Sequence, residues 1–149
     1  MTSAIEIRPA TRDDLGAIAR IQVDSRETPA WEPSSYLDYD CRVARVAGGD
    51  RVTGFLVSRQ VTPAGIANEE REILSIAVDP AHRRQGIGRA LVEAELASAS
   101  KGTTWFLEVR ESNIAAISLY TAVGFSPSGR RPGYYHDPAE AAIVMRFFS

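Results

Sequence analysis

A short glycine-containing segment in the middle of the chain has the residue types of a phosphate-binding turn. Gly86 and Gly88 follow an apolar run that ends at Val78, and apolar residues at helical spacing begin at Ile87. The first N–H groups of a helix have no partner inside it, and the helix dipole favours negative charge there. Glycines let the backbone approach a phosphate closely, so consecutive amides can hold a pyrophosphate. The cationic side chains of this turn are Arg83, Arg84 and Arg89.

An ordinary strand-to-helix turn is the alternative interpretation, with glycines that serve only the tight geometry. Here a predicted strand over residues 73–78, an arginine three residues before Gly86 and an amphipathic helix occur in the order that phosphate binding requires. The pattern is not a dinucleotide-binding fingerprint, because no third glycine follows at the required spacing. It is not a P-loop, because the chain contains no Gly-Lys-Ser or Gly-Lys-Thr sequence. We therefore favour a phosphate-binding turn of another kind.

A second group of polar residues lies in the next predicted helix. If Asn113 opens that helix, Ile117 and Tyr120 follow four and seven residues later on the same face. Seven residues advance about 10 Å, so Asn113 and Tyr120 are spaced to contact different parts of one elongated ligand. A phenol near a thioester sulfur can protonate the departing thiolate, which would make Tyr120 a general acid. The alternative is a core tyrosine with a hydrogen-bonded hydroxyl.

Glu108 places a carboxylate between Leu107 and Val109 in a predicted strand. Burial of a carboxylate is unfavourable unless the group is paired or hydrogen-bonded. One interpretation is therefore a salt bridge, with Arg110 or with a neighbouring strand. The other is a general base that takes the proton from an attacking ammonium, directly or through water.

The elements that would position these residues alternate between strands and helices. Apolar alternation predicts strands at residues 5–9, 42–47, 52–59, 73–78 and 105–109, near residue 126, and at residues 142–147. Helical spacing and caps predict helices after Thr11, from Ile87 to before Gly102 and from Asn113 to Gly124, with a short fourth one after Ser35. The segments 25–40 and 62–70 are otherwise predicted as loops.

The predicted order of elements defines the fold class. The strand–helix–strand unit over residues 73–109 needs a crossover, which implies a central pair of parallel strands. We therefore expect an α/β protein with a mixed, mostly antiparallel sheet of six to seven strands, flanked by about four helices. No repeat or linker divides the chain, so residues 1–149 are predicted to form a single domain.

Composition argues against several classes of partner. The 17 basic and 19 acidic side chains give a formal net charge of −2, without the basic excess typical of nucleic-acid binding. A single cysteine and two histidines cannot form an internal disulfide or a zinc site. No apolar run is long enough to span a bilayer, and the N-terminus lacks a signal-peptide core. We expect a cytoplasmic protein with no metal, no nucleic-acid partner and no membrane partner.

Two motifs resemble those of a known enzyme family. The segment RRQGIG matches the R/Q-x-x-G-x-G/A signature of the GNAT acetyltransferases, and LSIAVDPAHRRQGIGRALV resembles their whole acetyl-CoA-binding block. The combination LEVR-x-SN-x-AA-x-x-LY, followed by GF and by RR-x-x-YY, resembles the RimI subfamily, the bacterial ribosomal-protein-alanine N-acetyltransferases. The likeness is best over residues 73–147.

The resemblance implies a GNAT-like fold and the transfer of an acetyl group from acetyl-CoA to a primary amine. It implies direct attack in a ternary complex, with Glu108 as the base and Tyr120 as the acid. Residues 76–78 would offer their backbone to pantetheine, and residues 84–89 would bind the pyrophosphate. The implied cofactor-binding residues are Ile76, Ala77, Val78, Arg83, Arg84, Gln85, Gly86, Ile87, Gly88, Arg89 and Asn113.

The resemblance also implies a protein or peptide N-terminus as acceptor, in this subfamily that of a small-subunit ribosomal protein. An α-amine titrates near about 7.7–8.0 and lysine near about 10.4, so a modest base is sufficient for an α-amine. Acidic residues that could hold a cationic N-terminus, or simply form a solvated surface, are Glu32, Asp38, Asp40, Glu69, Glu70 and Glu72. Glu72 is a second candidate base, because many GNAT enzymes carry a glutamate on this strand. The alternatives are a GNAT enzyme for a small amine, such as a polyamine, amino acid or drug, and a CoA-binding sensor without turnover.

Overall fold

The computed structural model describes residues 4–25, 32–63, 68–136 and 138–149. The strands are β1 Ile5–Pro9, β2 Asp40–Val46, β3 Val52–Gln60, β4 Glu70–Val78, β5 Thr104–Arg110, β6 Ser126–Tyr135 and β7 Glu140–Phe148. The α-helices are α1 Leu15–Val23, α2 Ile87–Ser98 and α3 Ile114–Val123. The seven strands form one sheet in the order β1-β2-β3-β4-β5-β7-β6.

One pair of strands in this sheet is parallel, and it lies near the centre. β4 and β5 run parallel, whereas the other neighbours in the described sheet pair antiparallel. The predicted mixed sheet with a central parallel pair is therefore confirmed. The parallel ladder joins residues 70–73 to residues 104–107 and ends there. Past that point β4 continues against β3 and β5 continues against β7, so the two strands diverge and open a cleft.

A β-bulge in β4 lies next to this divergence. Val57 of β3 pairs with Ser75, but the following Ser58 pairs with Ile73, which leaves Leu74 as an extra residue. A bulge bends its strand and increases the local twist. The bend therefore comes at the position where β4 leaves β5, and it contributes to the opening of the cleft.

The helices bury apolar side chains against the sheet in two clusters. Ile18 of α1 packs in a cluster with Phe55 of β3. Leu91 of α2 packs in a second cluster with Leu56 of β3 and Trp105 of β5. Because Phe55 and Leu56 are adjacent in one strand, they point to opposite faces of the sheet. The helices α1 and α2 therefore cover opposite faces.

The predicted helix caps are confirmed. Thr11 and Asp14 form a capping box ahead of α1. Asn113 caps α3 by accepting a hydrogen bond from the Ala116 amide, and Gly124 ends the helix with a backbone φ of 125°. A positive φ is a conformation that glycine adopts without steric cost. These residues were predictable because each cap depends on a few neighbouring positions.

The number of helices differs from the prediction. We expected about four, and the described residues contain three α-helices and three short 3-10 helices. The short helix predicted after Ser35 is the 3-10 segment Pro33–Asp38. Six residues are too few to sustain an α-helix in water, whereas short 3-10 turns are common connectors. Residues 26–31 and 64–67 of the two predicted loops lie outside the described residues.

Strand β6 is much longer than the weak strand predicted near residue 126. It spans ten residues, and almost all of its side chains are exposed. Its sequence contains proline and glycine and lacks apolar alternation, so propensity alone does not predict it. Pairing with β7 at the edge of the sheet forms the strand instead. Among the described residues, no helix is both long and apolar enough to cross a membrane.

Candidate active site

A groove of about 560 Å³ lies where β4 leaves β5, and we call it the turn groove. Its walls come from the end of β4, the turn before α2 and one side of α3. The predicted cofactor-binding residues that line it are Ile76, Ala77, Val78, Arg83, Arg84, Gly86, Ile87, Gly88, Arg89 and Asn113. Gln85 lies exposed in the same turn but is not part of the wall.

Backbone amides without partners surround the turn before α2. Within the described residues, the amides of residues 84–89 make no hydrogen bond, and the next amide, that of Ala90, donates to the Gly86 carbonyl at 3.0 Å. Arg84 and Gly86 have φ values of 64° and 80°, which curve the chain around a concave surface. Successive amides in such a turn form an anion-binding nest at the positive end of the helix dipole. The turn therefore fits a pyrophosphate.

The two glycines of the turn are needed for different reasons. A Cβ atom at Gly86 would meet no atom within 4 Å, so its positive φ is what favours glycine there. A Cβ atom at Gly88 would lie 3.3 Å from Leu119 Cδ2, so this glycine allows α2 and α3 to approach closely. One glycine shapes the nest, and the other narrows the groove between the helices.

The side chains of the turn add positive charge. Arg83 and Arg84 are exposed, and neither forms an ion pair within the described residues. Arg89 pairs with Glu93 one helical turn later, at 2.7 Å and in solvent. An anion in the turn groove would therefore find two guanidinium groups without a competing carboxylate.

A second cavity of about 330 Å³, which we call the Glu108 cavity, adjoins the turn groove. The residues that line both spaces are Ile76, Asn113, Ala116 and Tyr120. The remaining polar wall of the Glu108 cavity comes from Glu72, Ser75, Glu108, Arg110, Tyr134 and Tyr135. Two ligands, one in each space, would therefore come together beside Tyr120.

Tyr120 is a buried tyrosine at the junction of these two spaces. Only 5% of it is exposed, and its ring packs against Phe125 with a centroid distance of 5.8 Å. Burial raises the pKa of Tyr120, with a smaller contribution from Tyr135. The phenol therefore stays protonated at neutral pH and remains a proton donor. Burial and the neighbouring Tyr135, rather than a hydrogen bond within the described residues, set the environment of its hydroxyl, in contrast to the expected pattern for a core tyrosine.

Glu108 has one paired and one unpaired carboxylate oxygen. Its Oε1 lies 3.5 Å from Nη1 of Arg131, and its Oε2 is buried without a hydrogen-bond partner among the described residues. Of the two salt-bridge alternatives that the sequence left open, the one with Arg110 is wrong, because Arg110 pairs with Glu140 at 3.4 Å and lies over the ring of Tyr135. The partner comes instead from β6, across the intervening β7.

Glu72 lines the same cavity, but its carboxylate is held more closely by an arginine than that of Glu108. Its Oε1 accepts a hydrogen bond from Nε of Arg59, on the adjacent strand, at 3.0 Å and lies 2.8 Å from Nη2. Of the six acidic residues considered for a cationic N-terminus, all of which are described, Glu72 alone lines this cavity. Asp40 and Glu69 instead pair with Arg71.

The fold brings to Glu108 three residues for which the sequence predicted no role. These are Arg131, Tyr134 and Tyr135 of β6. The interaction with Glu108, followed by burial, raises the pKa of Tyr134. Burial, followed by the neighbouring Tyr134, raises the pKa of Tyr135 to about 12. The adjacent tyrosines after two arginines were visible as RR-x-x-YY, but only the pairing of β6 with β7 places them near the cleft.

Comparison with known proteins defines the class of this chain. Residues 9–125 match the Acetyltransferase (GNAT) family, and the chain belongs to that family. It is an acetyl-CoA-dependent N-acetyltransferase, with acetyl-CoA as its co-substrate. Within the described residues, no group of three or more His, Cys, Asp or Glu side chains could hold a metal ion.

Individual relatives confirm the resemblance to RimI. The [ribosomal protein bS18]-alanine N-acetyltransferase of Escherichia coli K12 is 41% identical over 107 residues, which cover 65% of this chain and 72% of the relative. The N-alpha-acetyltransferase RimI of Mycobacterium tuberculosis is 44% identical over 77 residues, which cover 52% of this chain and 48% of the relative.

Solved structures share the fold over almost the whole chain. The crystal structure of the E. coli ribosomal-protein-S18-alanine N-acetyltransferase has a TM-score of 0.77 and 30% identity, covering 97% of this chain and 93% of the other. Ard1 from Thermoplasma volcanium has a TM-score of 0.81 and 31% identity, covering 97% of both. NAA60 of Arabidopsis thaliana in complex with acetyl-CoA, at 20% identity, shares the fold with a TM-score of 0.82 and covers 97% of this chain and 98% of the other.

Proposed function

We propose that this N-acetyltransferase acetylates the α-amine of a protein N-terminus by direct attack in a ternary complex, with Glu108 as base and Tyr120 as acid. The observation that carries the proposal is the position of Tyr120 in the wall between the turn groove and the Glu108 cavity. A thioester held along the turn groove and an amine held beside Glu108 would meet at its hydroxyl. Holding two reactants in this way makes the attack effectively unimolecular.

The turn groove would hold the co-substrate through this chain's own backbone. The unpartnered amides of residues 84–89 would bind the pyrophosphate, with Arg83 and Arg84 adding charge. Residues 76–78 of β4, which line the groove, would contact the pantetheine. The bound acetyl-CoA supplies an acyl group activated as a thioester.

The chemistry follows from the two ionisable side chains. An ammonium in the Glu108 cavity would lie beside a carboxylate oxygen that makes no hydrogen bond within the described residues, and Glu108 removes its proton directly or through one water. The neutral amine attacks the thioester carbonyl carbon, forming the C–N bond as the C–S bond breaks, and its nitrogen then loses a second proton to solvent, which leaves a neutral amide. Tyr120 gives its proton to the departing thiolate, and its raised pKa keeps that proton available until then.

Glu108 is preferred to Glu72 as the base because of their different contacts. The Oε1 atom of Glu72 accepts a hydrogen bond from Nε of Arg59 at 3.0 Å and lies 2.8 Å from Nη2 of the same guanidinium. Removing a proton with Glu72 would therefore weaken an existing ion pair. Glu108 has a looser ion pair to weaken, 3.5 Å from the exposed Arg131, and its Oε2 makes no hydrogen bond within the described residues.

The acceptor class rests on the relatives and on the chemistry of the cavity. The E. coli relative is named for alanine acetylation of ribosomal protein bS18, which supports a small-subunit ribosomal protein N-terminus as the acceptor. The Glu108 cavity offers two carboxylates for a cationic N-terminus. An α-amine titrates near about 7.7–8.0, so a carboxylate base is sufficient for it near neutral pH.

A panel of acceptors tests the acceptor class. Acetyl-CoA turnover would be measured with peptides that have free N-termini, including one beginning with alanine, beside spermidine and free lysine. We expect kcat/KM to be highest for a peptide with a free α-amine, and to be lost when that amine is already acetylated. Turnover of spermidine or lysine alone would instead support a small-amine acetyltransferase.

The base assignment has its own test in the pH dependence of Glu108→Gln, with Glu72→Gln as the matched control. Glu108→Gln should lose most activity near neutrality and recover part of it as pH rises through the α-amine pKa of about 7.7–8.0, because the amine then deprotonates unaided. Glu72→Gln should follow the wild-type profile more closely. A full-rate, wild-type profile for Glu108→Gln would refute the base role.

A further inference from the structure

Two buried polar atoms without hydrogen-bond partners lie in the wall of the Glu108 cavity, one on each of the two strands that diverge there. They are Oγ of Ser75, on β4, and Oε2 of Glu108, on β5, and neither makes a hydrogen bond within the described residues. They therefore do not bond to each other either. A buried polar atom without a partner is unfavourable, and such atoms are rare unless a bound molecule supplies the partner. The cavity thus presents two polar groups to a ligand placed between them.

The β-bulge of β4 turns the side chain of Ser75 to the same face of the sheet as Glu108. Ile73 packs in the cluster that α2 covers, and regular alternation would put Ser75 on that face too. Past the bulge, Ala77 packs in the cluster that α1 covers, so Ser75, two residues before it, points to the α1 face. Glu108 follows Leu107, which packs in the α2 cluster, and therefore also points to the α1 face. Bulges next to active sites commonly redirect a side chain in this way.

Ser75 contrasts with Ser58, a buried serine on the neighbouring strand β3. Ser58 is fully buried, and its hydroxyl donates to Oε1 of Glu95 at 2.7 Å. Ser75 is 4% exposed and lies near Tyr36. Burial raises the pKa of Tyr36 to about 12, and the Ser75 hydroxyl lowers it by a smaller amount, without the geometry of a hydrogen bond. The Tyr36 hydroxyl donates to Gln22 instead. The fold therefore supplies a hydrogen-bond partner to Ser58 and none to Ser75 within the described residues.

The chemistry of the two atoms defines the ligand group that fits between them. An ionised Glu108 can only accept hydrogen bonds, so an atom that bridges it to Ser75 must be a donor. This requirement excludes a carboxylate or a carbonyl oxygen. A primary ammonium carries three N–H groups, and it also brings a positive charge to the carboxylate, which a water molecule does not.

We infer that Ser75 is a further acceptor-binding residue, whose hydroxyl oxygen accepts a hydrogen bond from the acceptor nitrogen while Oε2 of Glu108 accepts another. The inference rests on the proposed role of the Glu108 cavity as the acceptor site. After Glu108 removes one proton, the neutral amine keeps two N–H groups, and one of them stays on Ser75. The hydroxyl therefore holds the nitrogen in place during the proton transfer. It also makes the site selective for a nitrogen that carries more than one N–H group.

Calorimetric titration with two peptides tests the inference without turnover. A peptide with a free N-terminal alanine, and the same peptide with N,N-dimethylalanine, would be titrated into wild type and Ser75→Ala, each saturated with CoA. The dimethyl peptide keeps its positive charge but has a single N–H group, which Glu108 takes. Loss of a hydrogen bond to a charged group should raise the Kd of the free-amine peptide about tenfold in Ser75→Ala. The Kd of the dimethyl peptide should change much less. No change for the free amine, or an equal change for both peptides, would overturn the inference.

Thermal unfolding of the ligand-free enzyme separates binding from a structural role. Ser75→Ala removes a buried hydroxyl that has no hydrogen bond to lose, so its melting temperature should stay at or above that of wild type. The matched control is Ser58→Ala, which removes a hydrogen bond from the buried carboxylate of Glu95 and should lower the melting temperature by several degrees. Because Ser58 lines neither the turn groove nor the Glu108 cavity, its variant should bind the free-amine peptide with wild-type Kd. A similar fall in the melting temperature of Ser75→Ala would make Ser75 a structural residue and overturn the inference.

Failure of the inference is distinguishable from failure of the proposed function. The titrations measure binding, so their outcome does not depend on which residue removes the proton. Wild-type turnover of Glu108→Gln, together with a loss of affinity in Ser75→Ala that is confined to the free amine, would overturn only the base role. If the acceptor panel identifies a small amine instead of a peptide, that amine and its N,N-dimethyl derivative replace the two peptides, and an equal loss of affinity for both would overturn the inference.

Discussion

The turn groove and the Glu108 cavity are adjacent, but they are built in different ways. The turn groove offers mainly backbone, from the end of β4 and from the amides of residues 84–89, which make no hydrogen bond within the described residues, with solvated arginines around them. The Glu108 cavity offers side chains from four elements, namely β4, β5, α3 and β6. Tyr120 belongs to the wall of both.

This difference predicts how each space responds to substitution. A site made of amides depends on backbone conformation, so most single side-chain changes leave it in place. A site made of a few converging side chains depends on each of them, because no neighbouring group can replace the contact or the proton transfer of a side chain that is removed. Substitutions in the Glu108 cavity should therefore have large effects on turnover. Substitutions in the turn groove should be severe only where they alter the path of the chain.

The largest effect is expected at the shared wall. Tyr120→Phe keeps the packing against Phe125 and deletes the proton donor, so kcat should fall by about 10²–10⁴-fold, the usual contribution of general acid catalysis. Affinity for acetyl-CoA, measured by calorimetry, should stay near wild type. Tyr39→Phe is the control, because Tyr39 is partly exposed and lines neither space. Wild-type turnover in Tyr120→Phe would reduce Tyr120 to a packing residue.

A smaller effect is expected where a side chain alters the turn itself. Gly86 has a φ of 80°, in a region that costs other residues roughly 1–2 kcal/mol and that asparagine tolerates best. Gly86→Asn should therefore weaken acetyl-CoA binding modestly. Aspartate has nearly the same shape as asparagine but adds an anion beside the pyrophosphate. The acetyl-CoA Kd of Gly86→Asp should therefore be about tenfold higher than that of Gly86→Asn. Equal Kd values for the two variants would argue against a pyrophosphate at this turn.

The two regions also differ in how far the sequence predicts them. The turn groove is built from features that lie close together in sequence. These are the strand that ends at Val78, the glycines 86 and 88, and the helix cap Asn113. The approximate arrangement of these features follows from their spacing alone. The full length of strand β6 was not predicted, because the strand is stabilised by pairing with β7 rather than by its own composition.

The contacts of Glu108 show why the rest could not be predicted. The sequence indicated a carboxylate in an apolar strand and suggested as its partner either Arg110, two residues away, or an unspecified residue of a neighbouring strand. The observed partner, Arg131, follows Glu108 by 23 residues in the sequence and reaches it across β7. Its position depends on the register shift between Arg131 and Tyr135. Such a shift is set by tertiary packing, which no local pattern reports.

The smallest effect is expected for the charged side chains of the turn groove, and it tests the comparison most directly. If the amides carry most of the pyrophosphate affinity, then Arg83→Gln and Arg84→Gln should each raise the acetyl-CoA Kd by only about two- to fivefold, as expected for exposed charges. That increase should shrink in 0.5 M salt, since exposed charges are screened. Gln85→Ala, in the same turn but outside the wall, should match wild type at both salt concentrations. If the acetyl-CoA Kd rises a hundredfold or more in either arginine variant, side chains provide most of the binding energy in the turn groove too. The contrast between the two regions would then be wrong.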